Sequence, residues 1–308
     1  MVCLFDLMLS AEFDCENIAE LLMHEEEIKG SLEIAPIIKA ATLGHDSTVK
    51  SLLAKGVDAR ARYGDNHEIS ALDAAALMGN LEIARALLEH GVDADDVGPN
   101  GQTALHHAMF HGRADVRDVI DLLLSAGADI DARTAEGVTP LHLAAFRAGP
   151  GVAVSHLLLR GATKDAIESG GASPLHVATR CGNLAATRSL LAAGADATLR
   201  TDSQETPLDF AAAHGWVEVV RELAQHGVDL DGFDGLSGSA LNNAACHNQA
   251  AVVDALVDAG ASVNGANLDN EPTPLVCAVV QLGIETMQVL LRRGAPICLL
   301  YTSPSPRD

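Results

Sequence analysis

The chain has 308 residues, 48% of them hydrophobic but only 3% aromatic, and its formal net charge at pH 7 is −22. Proteins that bind a nucleic-acid backbone need clustered Lys and Arg, and no such cluster occurs, so we expect no nucleic-acid partner. No apolar run approaches the ~18 residues of a membrane-spanning helix, so we expect no membrane insertion within residues 1–297.

The main feature of the chain is a short phrase that recurs eight times. It reads APIIKAA from Ala35 and TPLHLAA from Thr139. Successive copies start about 33 to 36 residues apart, a period that indicates an array of helical repeats. We number the repeats as units 1 to 8 from their first residues: Ala35, Ser70, Thr103, Thr139, Ser173, Thr206, Ser239 and Thr273.

Each copy of the phrase predicts the start of a short inner helix. Its Thr or Ser can cap the free backbone N–H groups, and a Pro in the next place suits the first helical turn. An outer helix with an apolar stripe follows, as at Leu81, Ala84 and Leu87. A Gly then closes the outer helix in the left-handed conformation. These glycines are Gly56, Gly91, Gly127, Gly161, Gly194, Gly227, Gly260 and Gly294.

Over residues 34–297 the chain resembles the ankyrin-repeat family. The stretch from Thr139 to Ala145 follows that family's opening motif, and Gly182, Leu190–Leu191 and Gly194–Ala195–Asp196 follow its later signature. The resemblance implies an all-α solenoid of helix-turn-helix units joined by short hairpin-like loops. It also implies that the histidines in the fourth place of the phrase hydrogen-bond neighbouring backbone. These are His106, His142 and His176.

The two ends of the chain differ from the repeats between them. Residues 1–33 keep the internal spacing without the Thr-Pro pair, and we interpret them as a degenerate N-terminal capping unit. Residues 298–308 resemble a translated sequencing adapter, so we interpret them as a non-native tail that truncates the last repeat. The alternative is a genuine tail rich in Ser and Pro.

No pattern in the sequence indicates catalysis. It has no glycine-rich phosphate loop, no G-x-S-x-G turn and no H-E-x-x-H, so we predict no catalytic residue, no cofactor and no enzyme. His107 and His111 lie four residues apart on one predicted helix and could share a metal, but no third ligand follows from the spacing, so we predict no metal site. The six cysteines form neither a disulfide framework nor a zinc pattern, which indicates reduced thiols in a cytoplasmic or nuclear protein.

The resemblance implies that the end of each inner helix and the loop tips line a concave surface. Carried over by register, the candidate partner-binding residues are Leu43, Leu77, Met78, Phe110, His111, Phe146, Arg147, Arg180, His214 and Trp216. Aromatic, Met and Arg side chains are enriched at the centres of interfaces. For Phe110 and Phe146 the alternative is packing beneath the adjacent unit, and for Trp216 it is shielding of the turn near Val217.

The function implied by the resemblance is non-enzymatic protein–protein interaction, by a monomer that serves as a scaffold, adaptor or inhibitor of an unknown protein partner. The alternative is a truncated recognition or regulatory arm of a larger enzyme or channel, such as a kinase, ubiquitin ligase or cation channel. The acidic loop tips, for example Asp93, Asp95 and Asp96, fit either loop-local hydrogen bonding or the steering of a basic partner.

Overall fold

The structure is a computed structural model that describes residues 36–63, 69–110, 116–147, 151–232, 238–265 and 272–297. The predicted capping unit at residues 1–33 and the predicted tail at residues 298–308 lie outside the described residues. So does His111.

The described residues form eight pairs of helices, one pair in each unit. The inner helices are α1 (Pro36–Thr42), α3 (Ala71–Met78), α5 (Ala104–Ala108), α7 (Pro140–Phe146), α9 (Pro174–Arg180), α11 (Pro207–Ala213), α13 (Ala240–Cys246) and α15 (Pro274–Val280). The outer helices are α2 (Asp46–Ala54), α4 (Leu81–Glu89), α6 (Val116–Ser125), α8 (Val152–Leu159), α10 (Leu184–Ala192), α12 (Val217–Gln225), α14 (Ala250–Asp258) and α16 (Ile284–Arg292). Two two-residue strands, β1 (Arg62–Tyr63) and β2 (Ile69–Ser70), pair antiparallel in the loop before unit 2. The all-α solenoid predicted from the repeats is therefore confirmed.

The first residue of the phrase caps the inner helix, as predicted. In unit 2 the Ser70 hydroxyl accepts a hydrogen bond from the Asp73 backbone N–H at 3.1 Å. The Asp73 carboxylate accepts one from the Ser70 N–H at 2.8 Å in return. This reciprocal pair satisfies two backbone donors that the helix itself cannot satisfy, so a helix of only two turns can begin at a fixed residue.

Each outer helix ends two residues before the predicted glycine. All eight closing glycines have positive φ, between 73° at Gly227 and 103° at Gly260. A side chain at such a φ costs about 1–2 kcal/mol because Cβ approaches the following carbonyl. The glycines therefore terminate the outer helices and turn the chain into the loop that leads to the next unit.

The core is one continuous apolar layer between the inner and outer helices. Its side chains are mostly Ala, Leu, Val and Ile, as at Ala75, Leu87 and Leu105. The small residues let successive inner helices pack closely, and no single pair of helices could bury its own apolar face. Stability is therefore shared between units and their neighbours.

The third unit carries an insertion that lengthens its outer helix. Here α6 has ten residues, whereas α4, α10, α12, α14 and α16 have nine each. Residues 111–115, between α5 and α6, lie outside the described residues. Within the described ranges, no helix has both the length and the apolar character needed to cross a membrane.

Candidate protein-interaction face

The histidines of the phrase are structural, as the resemblance implied. In unit 4 the Thr139 backbone N–H donates to Nδ1 of His142 at 3.2 Å, so Nδ1 carries no proton and the proton is on Nε2. That Nε2 donates to the carbonyl oxygen of Ala172 in the loop before unit 5, at 3.1 Å. His106 and His176 make the same two bonds, to Val138 and Glu205 respectively. Each ring therefore caps its own helix and links it to the next loop.

Burial keeps these rings neutral. Desolvation lowers the pKa of His106, His142 and His176 from 6.5 to about 4, even though each hydrogen bond to the next loop opposes the shift. A protonated ring would also lose its acceptor at Nδ1. The three rings are thus fixed hydrogen-bonding groups at neutral pH, and none is available for proton transfer at the surface.

The acidic loop tips hold neighbouring loops together. In four places an Asp carboxylate accepts a hydrogen bond from a backbone N–H of the next unit. These bonds run from Asp129 to Asp95 (2.8 Å), from Thr163 to Asp131 (2.9 Å), from Asp196 to Asp165 (2.9 Å) and from Ser262 to Asp231 (2.8 Å). We call this series the aspartate ladder. It favours local hydrogen bonding over the steering of a basic partner as the role of these residues.

The candidate residues of units 1 and 2 remain accessible. Leu43, after the end of α1, is 52% exposed, while Leu77 and Met78 at the end of α3 are half-buried. Their position at the ends of successive inner helices is the one expected from the register. Whether they bind a partner stays a prediction.

Units 3 and 4 are joined through two of the predicted residues. The Arg147 guanidinium donates to the backbone carbonyl of Phe110, and both Phe110 and Phe146 lie half-buried against the core. Part of each ring packs on the array and part stays accessible. The two interpretations of these rings, packing and partner contact, are therefore compatible.

Arg180 belongs to a cluster that the sequence did not reveal. Its guanidinium carbon lies 5.9 Å from the centre of the Phe210 ring in unit 6, close enough for a cation–π contact. The Phe210 ring in turn meets the His176 ring edge-on at 6.0 Å. The structure therefore holds Arg180 toward unit 6, whereas Arg147 bonds back to unit 3.

Trp216 connects two units and is also accessible. The ring lies over Gly182 of the preceding unit, and its Nε1 donates to the carbonyl oxygen of Arg180 at 3.0 Å. Asn80, Asn183 and Gln249 occupy the same place in their units and donate to the preceding inner helix in the same way. Trp216 thus covers the turn of the preceding unit, and it remains 41% exposed.

His214 is exposed at the end of α11, and its Nδ1 hydrogen-bonds the Phe210 carbonyl oxygen at 2.9 Å. This ring therefore reinforces the last turn of its own helix and still leaves surface for a partner. In the described part of the chain, no three side chains of the His, Cys, Asp or Glu type gather as a metal site would require.

A small pocket opens between units 4 and 5, where the inner helices face the loop. Its volume is about 50 Å³, whereas pockets for drug-sized ligands measure about 300–1,000 Å³. The pocket can therefore hold the end of one side chain. It is lined by His142, Leu143, Phe146, Glu168, Ala172, Val177 and Arg180.

Two of the predicted residues, Phe146 and Arg180, line this pocket. The sequence reasoning missed Phe210, which positions Arg180, and Val177, which forms part of the wall. Phe210 was detectable in principle, because it occupies the fifth place of the phrase, where Leu143 and Val177 stand in units 4 and 5.

The comparisons with known proteins agree with this architecture. A family model described as ankyrin repeats (3 copies) matches residues 7–97, 91–166 and 148–234, which together make up more than half of the chain. The solved ankyrin repeat domain of human ASB11 superposes with a TM-score of 0.65 at 29% identity, over 74% of this chain and 99% of that one. The ankyrin repeat domain of Bcl-3 superposes with a TM-score of 0.59 at 26% identity, over 74% and 100%.

Curated relatives share part of the array. Human neurogenic locus notch homolog protein 2 is 31% identical over 176 residues, which are 57% of this chain and 7% of that protein. Ankyrin repeat and SAM domain-containing protein 6 of Danio rerio is 33% identical over 172 residues, 56% of this chain and 23% of that protein. The chain thus spans less than a quarter of the length of these relatives.

Proposed function

The chain belongs to the ankyrin-repeat family, and from this premise we propose that it is a non-enzymatic protein–protein interaction module. Its partner binds the face formed by the ends of the inner helices and the adjacent loops, which we call the inner-helix face. The observation that carries the proposal is the series of accessible apolar side chains at the ends of successive inner helices, from Leu43 through Met78 and Phe110 to Phe146.

The form of the array supports this function. The short helices are tied to their neighbours by capping rings, by the aspartate ladder and by bonds such as that of Trp216 to Arg180. A surface fixed in this way loses little conformational entropy on binding. The matched family model describes a repeat array. A scaffold, adaptor or inhibitor that acts as a monomer inside the cell is the role we infer.

We assign the main partner contacts to units 2 to 5, with Met78, Phe110 and Phe146 as apolar anchors. Leu77 of unit 2, Leu43 of unit 1, and His214 and Trp216 of unit 6 enlarge this surface. His111, which lies outside the described residues, is a candidate by its register alone. Removing a true anchor should cost about 2 kcal/mol or more in binding free energy. Arg147 and Arg180 would meet acidic groups of the partner.

The test is quantitative affinity capture with the Phe110→Ala/Phe146→Ala double variant. Proteins bound by the wild type should be depleted with the double variant while circular dichroism shows an unchanged helix content. Leu159→Ala is the matched control, because Leu159 is 80% exposed but lies on the outer helix α8. Equal capture by wild type and double variant would show that the anchors are assigned wrongly.

A second candidate function is that of a recognition or regulatory arm of a longer protein, such as a kinase, ubiquitin ligase or cation channel. The observation that favours it is the small share of each curated relative that this chain spans, 7% and 23% in the two described above. Sequencing the source transcript beyond the codon for Ile297 tests it. An open frame that continues into another domain supports the arm, and a stop after one or two repeats supports the free-standing module.

A further inference from the structure

The pocket between units 4 and 5 has an apolar interior. Leu143 and Phe146 come from α7 and Val177 from α9, while Ala172 closes the side formed by the loop. The polar atoms of the neighbouring His142 ring are already bonded to Thr139 and Ala172. Nothing in this interior therefore requires a polar ligand, and an apolar side chain fits it best.

The carboxylate at the edge of this pocket is already bonded within its own loop. Glu168 Oε2 accepts a hydrogen bond from the Gly170 N–H at 2.9 Å, and Oε1 accepts one from the Ala172 N–H at 3.1 Å. These bonds turn both oxygens toward the loop backbone. Glu168 thus shapes the wall of the pocket and forms no ion pair with Arg180.

The cation at the edge of the pocket, Arg180, is held in place and not neutralised. It makes no ion pair with any residue in the ranges that the structure describes, and its contact is with the Phe210 ring at 5.9 Å. By contrast, Arg188 on α10 and Arg160 directly after α8 each pair with a carboxylate. An unpaired, half-buried guanidinium in a protein of net charge −22 is a local site for an anionic group.

We propose that this pocket binds an extended peptide segment of a protein partner, taking one apolar side chain between Phe146 and Val177 and the carboxylate of an adjacent Asp or Glu side chain at Arg180. The inference rests on the proposed function and adds to it the class of segment recognised. Phe210 is a positioning residue, because it fixes the guanidinium at the pocket without reaching the peptide itself.

The experiment is a selection from a peptide library displayed with blocked C-termini, so that carboxylates come only from side chains. Wild-type protein should enrich an apolar residue followed or preceded by Asp or Glu. Arg180→Glu should lose that acidic preference or exchange it for Lys and Arg. Arg85→Glu is the matched control, since Arg85 is an exposed arginine on the outer helix α4, and it should select the same peptides as wild type.

A selected peptide, synthesised with an amidated C-terminus and a fluorophore, then gives the magnitude. Its affinity should fall about tenfold or more with Arg180→Gln, as expected for loss of a charge-assisted hydrogen bond. It should fall by a smaller factor with Phe210→Leu, which leaves the charge but frees its position. Helix content measured on each variant separates these effects from unfolding.

The outcomes separate this inference from the function on which it rests. If peptides are enriched but their binding is unchanged by Arg180→Gln and sensitive to Phe110→Ala, the interaction module stands and the pocket assignment is wrong. If enriched peptides have no acidic residue beside an apolar one, the assignment is also wrong. If no peptide is enriched by any variant and affinity capture also fails, the proposed function is contradicted as well.

Discussion

Acidification from pH about 7.5 to about 5.5 should destabilise units 3 to 5 through the buried rings of His106, His142 and His176. Burial lowers the pKa of each ring to about 4, against 6.5 for an exposed histidine. The stabilising contribution is complete above pH 6.5, where folded and unfolded chains are both neutral at these sites. It is lost as the pH falls from 6.5 toward 4, because only the unfolded chain takes up the protons.

The magnitude follows from the two pKa values. At pH 5.5, proton binding to one histidine of pKa 6.5 favours the unfolded state about elevenfold, whereas a folded histidine with a pKa near 4 binds almost no proton. Each ring therefore lowers the free energy of unfolding by about 1.4 kcal/mol. Three rings together give about 4 kcal/mol. That is a large part of the 5–15 kcal/mol typical of whole domains, so the effect is measurable by urea unfolding.

The chain itself offers a substitution that cannot titrate. In unit 7 the fourth place of the phrase is Asn242, whose Nδ2 donates to the Pro272 carbonyl oxygen and whose Oδ1 accepts from the Ser239 hydroxyl at 2.9 Å. Asparagine therefore keeps the bond to the next loop, and on its other side it accepts from the capping hydroxyl where His142 accepts from the backbone N–H. The triple variant His106→Asn/His142→Asn/His176→Asn should lose most of the stability change between the two pH values.

Urea unfolding at both pH values, followed by the fluorescence of Trp216, the single tryptophan of the chain, and by circular dichroism, provides the measurement. The exposed His214→Asn is the control and should behave like wild type. If wild type and the triple variant lose the same stability on acidification, the buried rings are not the cause and the reasoning is refuted.

Three further substitutions test the packing of the array. Gly182→Ala should destabilise the protein by at least about 1 kcal/mol more than Gly227→Ala, and it should shift the Trp216 emission. Both glycines have positive φ, but only at Gly182 would the new Cβ lie 2.5 Å from the indole ring. Equal losses of stability in thermal unfolding would contradict the position of the ring. Asp131→Ala should cost about 1–2 kcal/mol in urea unfolding by removing the bond from the Thr163 N–H, whereas the exposed Asp118→Ala should cost little, and similar losses would remove the ladder as a stabilising feature. Leu282→Gly should stabilise the folded protein by about 0.5–1 kcal/mol in calorimetry, because Leu282 has φ of 57° and is 80% exposed. Leu282→Ala keeps a side chain at this positive φ, so an equal gain in that variant would show that backbone strain is not the reason.

The repeat made the fold predictable to the level of single residues. Thr139 as a cap, His142 as a bond to the next loop and Gly161 as a left-handed terminator all follow from their places in the unit, and the structure confirms each. These features are local or repeat at a fixed interval, so sequence spacing alone determines which backbone groups they meet.

The candidate site was less predictable because it depends on contacts between units. The register placed Phe146 and Arg180 at the ends of their helices, but not the direction of their side chains. Arg147 bonds back to the Phe110 carbonyl, whereas Arg180 reaches forward to Phe210. Side-chain packing determines whether each arginine contacts the preceding or the following unit, and the repeat period carries no information on this packing.

The aspartate ladder is a second feature that the repeat period did not predict. In unit 5 its place is taken by Thr198, whose hydroxyl donates back to Asp196 at 2.6 Å within the same loop. The sequence shows that a Thr replaces the Asp at this place. It does not show that the other aspartates bond to the next loop, because Asp in a loop is most often explained by hydrogen bonds within its own turn.

The bonds between units have a mechanical consequence. Those described above join residues between 29 and 39 places apart, from His176 to Glu205 and from Asn80 to Ala41, so each bridges one joint between neighbours. The curvature of the array is then the sum of a small rotation at each of its joints. A long partner that contacts units 2 and 5 together therefore depends on this curvature. A short peptide held at a single joint does not, and its affinity should be indifferent to how the array bends.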